Sequence, residues 1–524
     1  MISQFFKEIL KRKIQTKEEL ENLKKEFSLE FHQPFISNPS LLKFYHNLLK
    51  KGKIKRNLIL ENLLQKKKIR SLSGVAIITV LTKPYPCKGN CLFCPLEVKM
   101  PKSYLEKEPA AQRALNLKFN PYLQTKKRIE ALKNCGHLTE KIDLIILGGT
   151  FSFYPKRYQS YFIKRIFDAC NQKTSKTLLN SQKLNEKAKH RIIGLTIETR
   201  PDCINEKEII WLRKLGVTRV ELGAQTVFDE ILKMNNRLHT VEDTIKATQL
   251  LKDAGFKVNY HMMLNLYGSN PKKDLENFEI LFKNQNFRPD YLKIYPCVVL
   301  KTAPLYKLYL QKKYYPYSPE ELIELLIKIK QKIPYWVRIQ RVIRDIPATY
   351  IVAGNKITNL REIVKKEMEK RNLECKCIRC RQGETIENFD KIFLFREDYW
   401  ASFGKEIFLS FETKDRKKLF AFLRLRIPSF YFASKKHFLK ILDGSAIVRE
   451  LHTYGKTASI FEKNLNKISY QHKGLGKKLL KEAEKIAKKE FGLKKMAIIS
   501  GIGVRDYYRR LGYRLKDTYM IKDL

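Results

Sequence analysis

Three cysteines near residue 90 have a spacing suited to an iron–sulfur cluster. Cys87, Cys91 and Cys94 form a C-x3-C-x2-C pattern, and an aromatic residue, Phe93, comes directly before the last cysteine. Three thiolates can hold three irons of a 4Fe–4S cluster, which leaves the fourth iron without a protein ligand. An open iron can chelate S-adenosylmethionine and cleave it reductively to a carbon radical. This first cysteine triad therefore predicts radical chemistry.

A structural zinc site is the alternative for the first cysteine triad, but such a site needs a fourth ligand nearby and none is adjacent in the sequence. Two other segments favour the cluster. Gly148 and Gly149 follow an apolar run, and glycine would let the backbone approach the methionine part of S-adenosylmethionine. Glu198 and Arg200 follow another apolar run and are candidates to contact the cofactor or the active site.

A second cysteine triad consists of Cys375, Cys377 and Cys380, with the spacing C-x-C-x2-C. Three close thiolates predict a zinc ion, which takes four ligands in a closed site. The fourth ligand is left open between Cys297, a histidine and water. Three free surface thiols are the alternative interpretation.

A glycine-rich turn precedes a predicted helix at residues 471–477, QHKGLGK. It fits the Q/R-x-x-G-x-G/A turn of acetyltransferases, with Gly474 and Gly476 as the turn glycines. In that turn, backbone N–H groups at a helix N-terminus hold a pyrophosphate, because they lack partners within the helix. Farther along the chain, Tyr507 and Tyr508 lie where such a fold meets the sulfur of coenzyme A.

The elements that must position these residues follow from the apolar pattern. Short apolar runs alternate with longer helical stretches at 75–81, 142–147, 192–197, 219–222, 258–263 and 291–295. Buried strands separated by helices predict an α/β fold with parallel strands, a partial TIM-type (β/α)6 barrel. Ligands of such folds bind at the carboxyl ends of the strands, and the first cysteine triad follows the first strand.

A chain of 524 residues is too long for one hydrophobic core. We expect a basic helical N-terminal region, the barrel, a cysteine-bearing zinc-binding linker and a second α/β domain, at 1–72, 73–364, 365–390 and 391–524. In the second domain, runs at 392–395, 407–411 and 419–425 predict more antiparallel strands. A helix at 476–490 and a strand at 497–500 complete the predicted elements there.

The chain is strongly basic. It has 104 Lys and Arg against 54 Asp and Glu, a formal net charge of +50. This excess favours a polyanionic partner, and nucleic acid is the first candidate. Compositional drift is the alternative, because the basic residues spread along the whole chain. Basic runs at 11–13, 50–56 and 66–70 are consistent with either an RNA-binding appendage or solvated helix faces.

The sequence predicts a cytoplasmic protein that does not associate with membranes. It has no run of 18 apolar residues, and its N-terminus has no apolar core typical of a secretory signal. Six of its 10 cysteines lie in the two triads, which favours metal binding over disulfides.

Several ordered motifs occur together with these features: NPYLQT at 120–125, GGTF at 148–151, TIETRPD at 196–202, ELGAQT at 221–226, NRLHT at 236–240, FRPD at 287–290, RDIP at 344–347, VRELHTYG at 448–455 and ISG at 499–501. With a radical-SAM triad and an acetyltransferase turn in one chain, the sequence from Ser73 to Met520 resembles the catalytic third subunit of Elongator. It also resembles the single-chain bacterial and archaeal relatives of that subunit, the tRNA wobble-uridine carboxymethyluridine synthases, or tRNA uridine acetyltransferases.

The resemblance implies a radical-SAM barrel followed by a GNAT acetyltransferase-like domain, with radical SAM acyltransferase activity. In the family, a 5′-deoxyadenosyl radical takes hydrogen from the methyl group of acetyl-CoA. The resulting carbon radical adds to C5 of the wobble uridine, and thioester hydrolysis leaves a carboxymethyl group. The implied cofactors are the 4Fe–4S cluster, S-adenosylmethionine, acetyl-CoA as co-substrate and zinc. The implied partner is the tRNA anticodon stem-loop, and the N-terminal region would bind tRNA.

The same resemblance assigns residues to the reaction and to the coenzyme. The candidate catalytic residues are Lys141, which would contact acetyl-CoA, and Glu198, Arg200, Tyr507 and Tyr508. The residues expected to line the coenzyme site are Glu450, Leu451, His452, Thr453, Tyr470, Gln471, His472, the two turn glycines and one of the two tyrosines.

Two other functions are compatible with these patterns. One is a protein lysine acetyltransferase that carries a structural iron–sulfur cluster. The other is a nucleic-acid-binding scaffold with silent catalytic halves, against which the three intact cysteines of the first triad argue. The sequence leaves open the oligomeric state, a homodimer included, and the presence of accessory Elongator-like subunits.

Overall fold

The computed structural model of the chain describes residues 2–32, 34–64, 74–383, 391–455 and 474–524. Its first part is helical, as predicted: α1 (Ile2–Lys11), α2 (Lys17–Glu30), α3 (Asn38–Lys50) and α4 (Leu58–Leu64). Helix α2 begins at a capping box, in which Thr16 and Glu19 each accept a hydrogen bond from the other's backbone N–H. These helices enclose their own small core around Phe5 and Phe6.

An open barrel of parallel strands follows. The strands of this part are β1 (Val75–Leu81), β2 (Lys141–Leu147), β3 (Arg191–Thr199), β4 (Arg219–Gln225), β5 (Lys257–Leu264), β6 (Tyr291–Pro296), β7 (Val299–Leu300), β8 (Arg338–Arg341) and β9 (Ile351–Ala353). Strands β1 to β6 and then β8 pair side by side, all parallel, while β7 pairs with β9. The predicted barrel is confirmed, with β8 as one strand more than the sequence suggested.

Helices cover the outer face of this sheet: α5 (Pro109–Asn116), α6 (Pro121–Asn134), α7 (Lys156–Asn171), α8 (Leu178–Asn185), α9 (Glu206–Leu215), α10 (Asp229–Met234), α11 (Val241–Asp253), α12 (Pro271–Lys283), α13 (Leu305–Leu310), α14 (Pro319–Gln331) and α15 (Leu360–Lys370). The main hydrophobic core lies between them and alternate strand residues such as Ile142, Leu144 and Ile146. The remaining strand residues therefore face the inside of the barrel.

The inside of the barrel, here called the lumen, is polar. Lys293 of β6 lies 3.7 Å from Glu198 of β3, although two other strands separate them in the sheet, so both side chains point inward. The inward side chains that contact each other across strands are Asp143, Glu198, Arg219, Glu221, Asn259, His261, Lys293 and Gln340. TIM-type barrels usually fill this space with Val, Ile and Leu. A polar lumen indicates a chamber that binds polar ligands.

The second domain is built on a mixed sheet. Its elements are β10 (Ile392–Ala401), β11 (Gly404–Thr413), β12 (Leu419–Ile427), α16 (Ser429–Phe432), β13 (Ser445–Thr453), α17 (Leu475–Phe491), β14 (Lys495–Ile498), α18 (Arg505–Arg509), β15 (Arg514–Lys516) and β16 (Tyr519–Asp523). The strands lie in the order β10-β11-β12-β13-β14-β16-β15. Every neighbouring pair is antiparallel except β13 and β14, which are parallel.

Strands β13 and β14 separate along their length. They pair from Ser445 to Val448, where β14 ends at Ile498, but β13 continues to Thr453. A β-bulge at Arg449 interrupts the pairing of β13 with β12 at the same point. The carboxyl-terminal half of β13 therefore has one open edge, beside the N-terminus of α17.

The second domain packs against the amino ends of the barrel strands, here called the lower end. Seven buried charged side chains, the interdomain charge network, join the two parts: Lys252, Asp253, Asp290, Glu406, Arg424, Arg426 and Arg449. The close approach also needs a glycine, since a Cβ at Gly501 would lie 2.0 Å from the carbonyl oxygen of Ile193 at the start of β3. The first cysteine triad lies at the opposite, upper end, after the carboxyl end of β1.

Candidate functional site

The first cysteine triad lies in the loop after β1, as predicted. Cys87 Sγ is 3.5 Å from the hydroxyl of Thr150, which follows β2. Cys91 Sγ accepts a hydrogen bond from Arg237 Nη1 at 3.3 Å. The loop is tied to the upper end of the barrel through backbone hydrogen bonds, including Leu92 N–H to the carbonyl of Asn235. The triad is thus held over the lumen by several strand ends.

Basic side chains surround the first cysteine triad. Arg200 is buried, and its Nε and Nη2 atoms donate to Asp202, which also accepts from Lys88. Its third nitrogen, Nη1, is buried beside Gly89 and has no hydrogen-bond partner among the described residues. Three thiolates and the sulfides of a cluster carry negative charge, so an unpartnered donor at this place fits such a group.

Two further observations bear on which metal group the first cysteine triad fits. Burial raises the pKa of the Cys94 thiol to about 12, so a thiolate there needs a bound cation. Within the described residues, the three Sγ atoms are not all within 4.8 Å of one another. Thiolates on one tetrahedral zinc ion lie about 3.8 Å apart, given Zn–S bonds of about 2.3 Å. The wider separation suits a cluster better than a single ion.

The predicted glycines lie directly beside this loop. Gly148 has φ +141°, and a Cβ there would meet the Thr82 hydroxyl at 1.8 Å. The same hydroxyl is 2.8 Å from the hydroxyl of Tyr154. Gly149 follows with φ +83°. This turn needs glycine for its backbone conformation, which keeps the carboxyl end of β2 open toward the first cysteine triad.

A cleft of about 640 Å³ opens beside the first cysteine triad. Its charged lining consists of Lys88, Lys233 and Arg237 with one carboxylate, Asp229, so that positive charge predominates. Its basic lining suits an anionic ligand such as a phosphate.

The lumen holds a group of ionisable side chains that the sequence did not single out. Glu198 was predicted, and it accepts a hydrogen bond from Tyr104 at 2.7 Å. Glu221, His261 and Lys293 contact it or each other from the next three strands. Each lies on a different strand, so only the fold reveals that they meet. The signal in the sequence was the alternation of polar and apolar residues along β4 to β6.

The second cysteine triad lies at the lower end, between the barrel and the second domain. Ile378 N–H donates to the carbonyl of Val337, directly before β8, and Leu419 N–H donates to the carbonyl of Arg381. The Sγ atoms of the triad all lie within 4.8 Å of one another, which fits one tetrahedral ion. Within the described residues, no fourth His, Cys, Asp or Glu joins this group.

The suggestion that Cys297 completes this triad is wrong. Cys297 follows β6 at the upper end, where its N–H donates to the carbonyl of Leu264 and its side chain packs with Tyr314. It therefore lies at the other end of the barrel. The misassignment arose because sequence distance says nothing about which end of a strand a residue follows.

The open edge of β13 brings together part of the predicted coenzyme site. At the N-terminus of α17, a Cβ at Gly476 would lie within 4 Å of Leu451, Thr453 and the hydroxyl of Tyr507. The α17 cap, Gly474, has φ +80°, which suits a glycine at this turn. The N-terminal N–H groups of α17 thus point to the gap where β13 and β14 separate, as an anion site would require.

Other predicted coenzyme residues face elsewhere. The Glu450 carboxylate accepts hydrogen bonds from Tyr291 of β6 and from Arg424 at 2.9 Å, so it faces the barrel. Burial opposes its ionisation, but Arg424, Lys257 and the Tyr291 hydrogen bond together outweigh that effect and hold its pKa below the usual range. Tyr508 packs in the core of the second domain, and burial raises its pKa. Tyr507 is thus the tyrosine that borders the coenzyme site.

Lys141 and His452 lie near each other at the lower end of the barrel. Lys141 is the first residue of β2, and burial lowers its pKa. Burial also lowers the pKa of His452 to about 4, and the charges of Asp143 and Lys141 act on it. Since Leu451 and Thr453 alternate with Glu450 and His452 along β13, one pair faces α17 and the other faces the lumen.

Some predictions concern residues outside the described ranges. These are the coenzyme residues Tyr470, Gln471 and His472, the basic run at 66–70 and the last part of the zinc-binding linker, 384–390. Among the described residues, no helix combines the length and the apolar character needed to cross a bilayer.

Family models match three parts of the chain. The Radical SAM superfamily model matches residues 85–279, the Radical_SAM C-terminal domain model matches 289–370, and the Acetyltransferase (GNAT) family model matches 468–513. The first two cover the barrel from the loop after β1 to α15, and the third includes α17, β14 and α18.

Relatives match over most or all of the chain. A "tRNA uridine(34) acetyltransferase" of Methanocaldococcus infernus is 47% identical over 100% of this chain and 98% of its own length. "Elongator complex protein 3" of Homo sapiens is 39% identical over 88% of this chain and 86% of its own length. The solved structure of archaeal M. infernus Elp3, with an N-terminal deletion (1–46), has a TM-score of 0.76 at 47% identity. The match covers 86% of this chain and 100% of the solved M. infernus chain.

Proposed function

The chain belongs to the family of the tRNA uridine(34) acetyltransferases and Elongator complex protein 3, and we propose that it forms 5-carboxymethyluridine at the wobble uridine of tRNA anticodons. The observation that carries this proposal is the position of two sites at opposite ends of one polar lumen. The first cysteine triad lies at the upper end, and the open edge of β13 lies at the lower end. A reaction that joins an acetyl-CoA carbon to a uridine needs both.

At the upper end, Cys87, Cys91 and Cys94 would hold a 4Fe–4S cluster that supplies, when bound with S-adenosylmethionine, the radical that starts the reaction. Arg237 stabilises the Cys91 thiolate through its hydrogen bond. Arg200 offers its unpartnered Nη1 to the same anionic group. The turn at Gly148 and Gly149 leaves room for the amino acid part of S-adenosylmethionine.

At the lower end, the N–H groups of α17 would bind the pyrophosphate of acetyl-CoA. Leu451, Thr453 and Tyr507 border the gap through which its pantetheine arm would pass. His452 and Lys141 face the lumen, where the acetyl group would arrive. Burial keeps His452 neutral at pH 7, so its imidazole can accept or donate a hydrogen bond without a charge.

The tRNA would bind at the upper end, so that the wobble uridine enters the lumen beside the first cysteine triad. The basic lining of the cleft there, with Lys88, Lys233 and Arg237, suits the phosphates of the anticodon loop. The helices α1 to α4 would extend the basic surface. A tRNA substrate implies that the protein acts in the cytoplasm.

The second cysteine triad would hold a structural zinc ion with water or an undescribed residue as fourth ligand. Its position between β8 and β12 suits a metal ion that cross-links the second domain to the barrel. No chemical role is needed for it, since it lies outside the lumen strands.

The decisive experiment uses the full chain, reconstituted anaerobically with iron and sulfide, and an unmodified tRNA with uridine at position 34. We expect 5-carboxymethyluridine by nucleoside mass spectrometry only when both S-adenosylmethionine and acetyl-CoA are present. A tRNA with cytidine at position 34 is the matched control. Acetylation of a lysine peptide without S-adenosylmethionine, with no change to the tRNA, would identify a protein acetyltransferase instead.

Binding of tRNA can be tested separately. If the basic surface contacts phosphates, log K should fall linearly with log salt, with a slope of roughly −0.7 to −0.9 per phosphate contact. A flat response would exclude electrostatic binding of tRNA.

A further inference from the structure

Four ionisable side chains cross the middle of the lumen. Glu198, Glu221, His261 and Lys293 come from the four neighbouring strands β3 to β6. His261 Nε2 lies 2.8 Å from Glu221 Oε2, which also accepts a hydrogen bond from Lys293. Lys293 Nζ is in addition 3.7 Å from Glu198 Oε1. We call these four residues the lumen cluster.

The lumen cluster is not suited to a metal ion. Ligand atoms of Glu198, Glu221 and His261 do lie within 4.8 Å of one another. However, the ammonium group of Lys293 occupies the space between the two carboxylates and would repel a divalent cation. Burial opposes ionisation of Glu221, but Lys293 and His261 outweigh it and hold the pKa of Glu221 well below its usual range. Glu221 is therefore a carboxylate.

An ionised Glu221 fixes the orientation of His261. The carboxylate can only accept, so Nε2 of His261 carries a proton, and in the neutral imidazole Nδ1 keeps its lone pair. Tyr295 holds the ring from the side, with its ring edge-on at 5.5 Å. The Glu221 side chain has no exposure, whereas that of His261 is 15% exposed. Among the described residues, no hydrogen bond reaches Nδ1, and so it is available to lumen water.

The lumen cluster lies between the two sites that the proposed function joins. His261 pairs with Lys293, and two residues earlier Asn259 pairs with Tyr291, whose hydroxyl donates to Glu450 of β13. Two residues of strand span about 7 Å, so His261 lies about 7 Å along β5 from the level of Tyr291, which contacts the second domain. On the upper side, Glu198 contacts Tyr104, in the loop that follows the first cysteine triad.

We propose that His261 is the general base for hydrolysis of the thioester that joins the modified uridine to coenzyme A, and that Glu221 and Lys293 position it. This inference rests on the proposed function, in which carbon–carbon bond formation leaves the acetyl group as a thioester. A carboxylate-oriented imidazole with a free lone pair toward water is the arrangement that such a step requires.

The step balances without an oxidant or a reductant. The oxygen of a lumen water bonds to the thioester carbonyl carbon while Nδ1 of His261 takes one water proton. The carbon–sulfur bond then breaks, and the proton passes from His261 to the sulfur of coenzyme A. The new carboxylic acid loses its remaining proton to solvent. Coenzyme A leaves as the free thiol, and the uridine keeps a carboxymethyl group.

The first test compares His261→Asn with the full wild-type chain, both reconstituted and incubated with tRNA, S-adenosylmethionine and acetyl-CoA. We expect the variant to form 5′-deoxyadenosine at close to the wild-type level. Its yield of carboxymethyluridine should fall about 100-fold or more, the usual contribution of a general base, while a uridine–coenzyme A adduct accumulates. Glu276→Gln, on the exposed face of α12 and outside the lumen, is the control and should keep the wild-type ratio of product to adduct.

The outcomes separate the two levels of the argument. A wild-type ratio of product to adduct in His261→Asn would overturn the role of His261 and leave the proposed function intact. Failure of the wild-type chain to modify uridine in a manner dependent on S-adenosylmethionine would overturn both.

A second measurement needs neither cluster nor substrate. Cluster-free protein labelled with ¹⁵N-histidine, with His261 assigned by comparison with His261→Asn, should show proton on Nε2 and none on Nδ1 at pH 8. Glu221→Gln should lose this fixed tautomer. The wild-type histidine spectrum is also recorded at pH 6. This second spectrum is needed because Glu198, Lys293 and Tyr295 lie close to the His261 ring. A proton on Nδ1 at pH 8 would overturn the proposal.

Discussion

The first cysteine triad lies in a loop over the upper end of the lumen, whereas the second lies at the lower end, between β8 and β12. Sulfur atoms of the second triad are within 4.8 Å of one another, and those of the first are not. The unpartnered Nη1 of Arg200 and the donor Arg237 lie beside the first triad. Three cysteines within a few residues can thus prepare either a reactive or a structural metal site, and their separation and neighbours distinguish the two.

This difference between the two triads indicates which of them serves activity and which serves stability. A reactive site faces the lumen, keeps donors without partners and is built from strand-end loops. A structural site is pinned by backbone hydrogen bonds on both sides and faces no ligand. Substitutions at the two triads should therefore have opposite effects on activity and on folding.

The largest expected effect is at Cys91. Cys91→Ala removes one of the three proposed cluster ligands and the acceptor of the Arg237 hydrogen bond. We expect 5′-deoxyadenosine formation to fall by a factor on the order of 1,000 or more, with Tm changed by only a few degrees because no close-packed core is lost. Anaerobic turnover and a melting curve measure both. Cys135→Ala is the control, and activity retained in Cys91→Ala would refute the assignment.

Removing a ligand of the second triad should give the opposite result. Cys377 is fully buried, and Cys377→Ala should lose one zinc per chain while the iron content is unchanged. A loss of about 3 kcal/mol would lower Tm by about 3 °C in a chain of this length, because the unfolding entropy is about 2.1 cal/mol/K per residue. Metal analysis and calorimetry of the variant test this. An unchanged zinc content would show that this triad holds no structural ion.

A smaller effect is expected from acid, at the lower end. The pKa of His452 is lowered to about 4 by burial, against an ordinary value near 6.5. The unfolded chain therefore binds a proton first, so the contribution of His452 to stability is complete above about pH 6.5 and is lost as pH falls toward 4. The loss amounts to at most about 3 kcal/mol. The free energy of unfolding, measured with denaturant between pH 7 and 4, should decline less steeply in His452→Gln than in the wild type. Equal slopes would contradict the assignment.

The smallest effect concerns the two adjacent tyrosines. Tyr507 borders Gly476 at the coenzyme gap, whereas Tyr508 packs in the core against Tyr513. Tyr507→Phe should raise KM for acetyl-CoA about 3- to 10-fold, the value of one hydrogen bond, and leave Tm unchanged. Tyr508→Phe should leave KM unchanged. The reverse pattern would assign the coenzyme contact to Tyr508.

Much of the upper end could be predicted because its residues are contiguous. The first cysteine triad, Gly148 and Arg200 lie in short motifs at strand ends, and a βα-repeat places such ends together. The lumen cluster could not be predicted, since Glu221, His261 and Lys293 stand alone in separate strands. Only the register of three parallel pairs brings them into contact.

The second domain was harder to predict for a related reason. Strands β13, β15 and β16 did not stand out as strands, and in the barrel β8, RIQR, also has no apolar run. The motif residues of β13 were expected to line one site together. Strand alternation and the bulge at Arg449 instead turn Glu450 toward the barrel and Leu451 toward α17.

The interdomain charge network limits how the two halves can move. Its arginines, lysine and carboxylates are withdrawn from water, and pulling the domains apart would separate Arg426 from Asp253 and Arg449 from Asp290 at a cost of several kcal/mol. Such an interface does not act as a hinge, so the path length through the lumen stays constant during turnover. The acetyl group would therefore be carried along the lumen by the long, flexible pantetheine arm of coenzyme A. The length of this arm would limit how far the acetyl group can reach. The enzyme would then select its acyl donors by arm length as well as by acyl group.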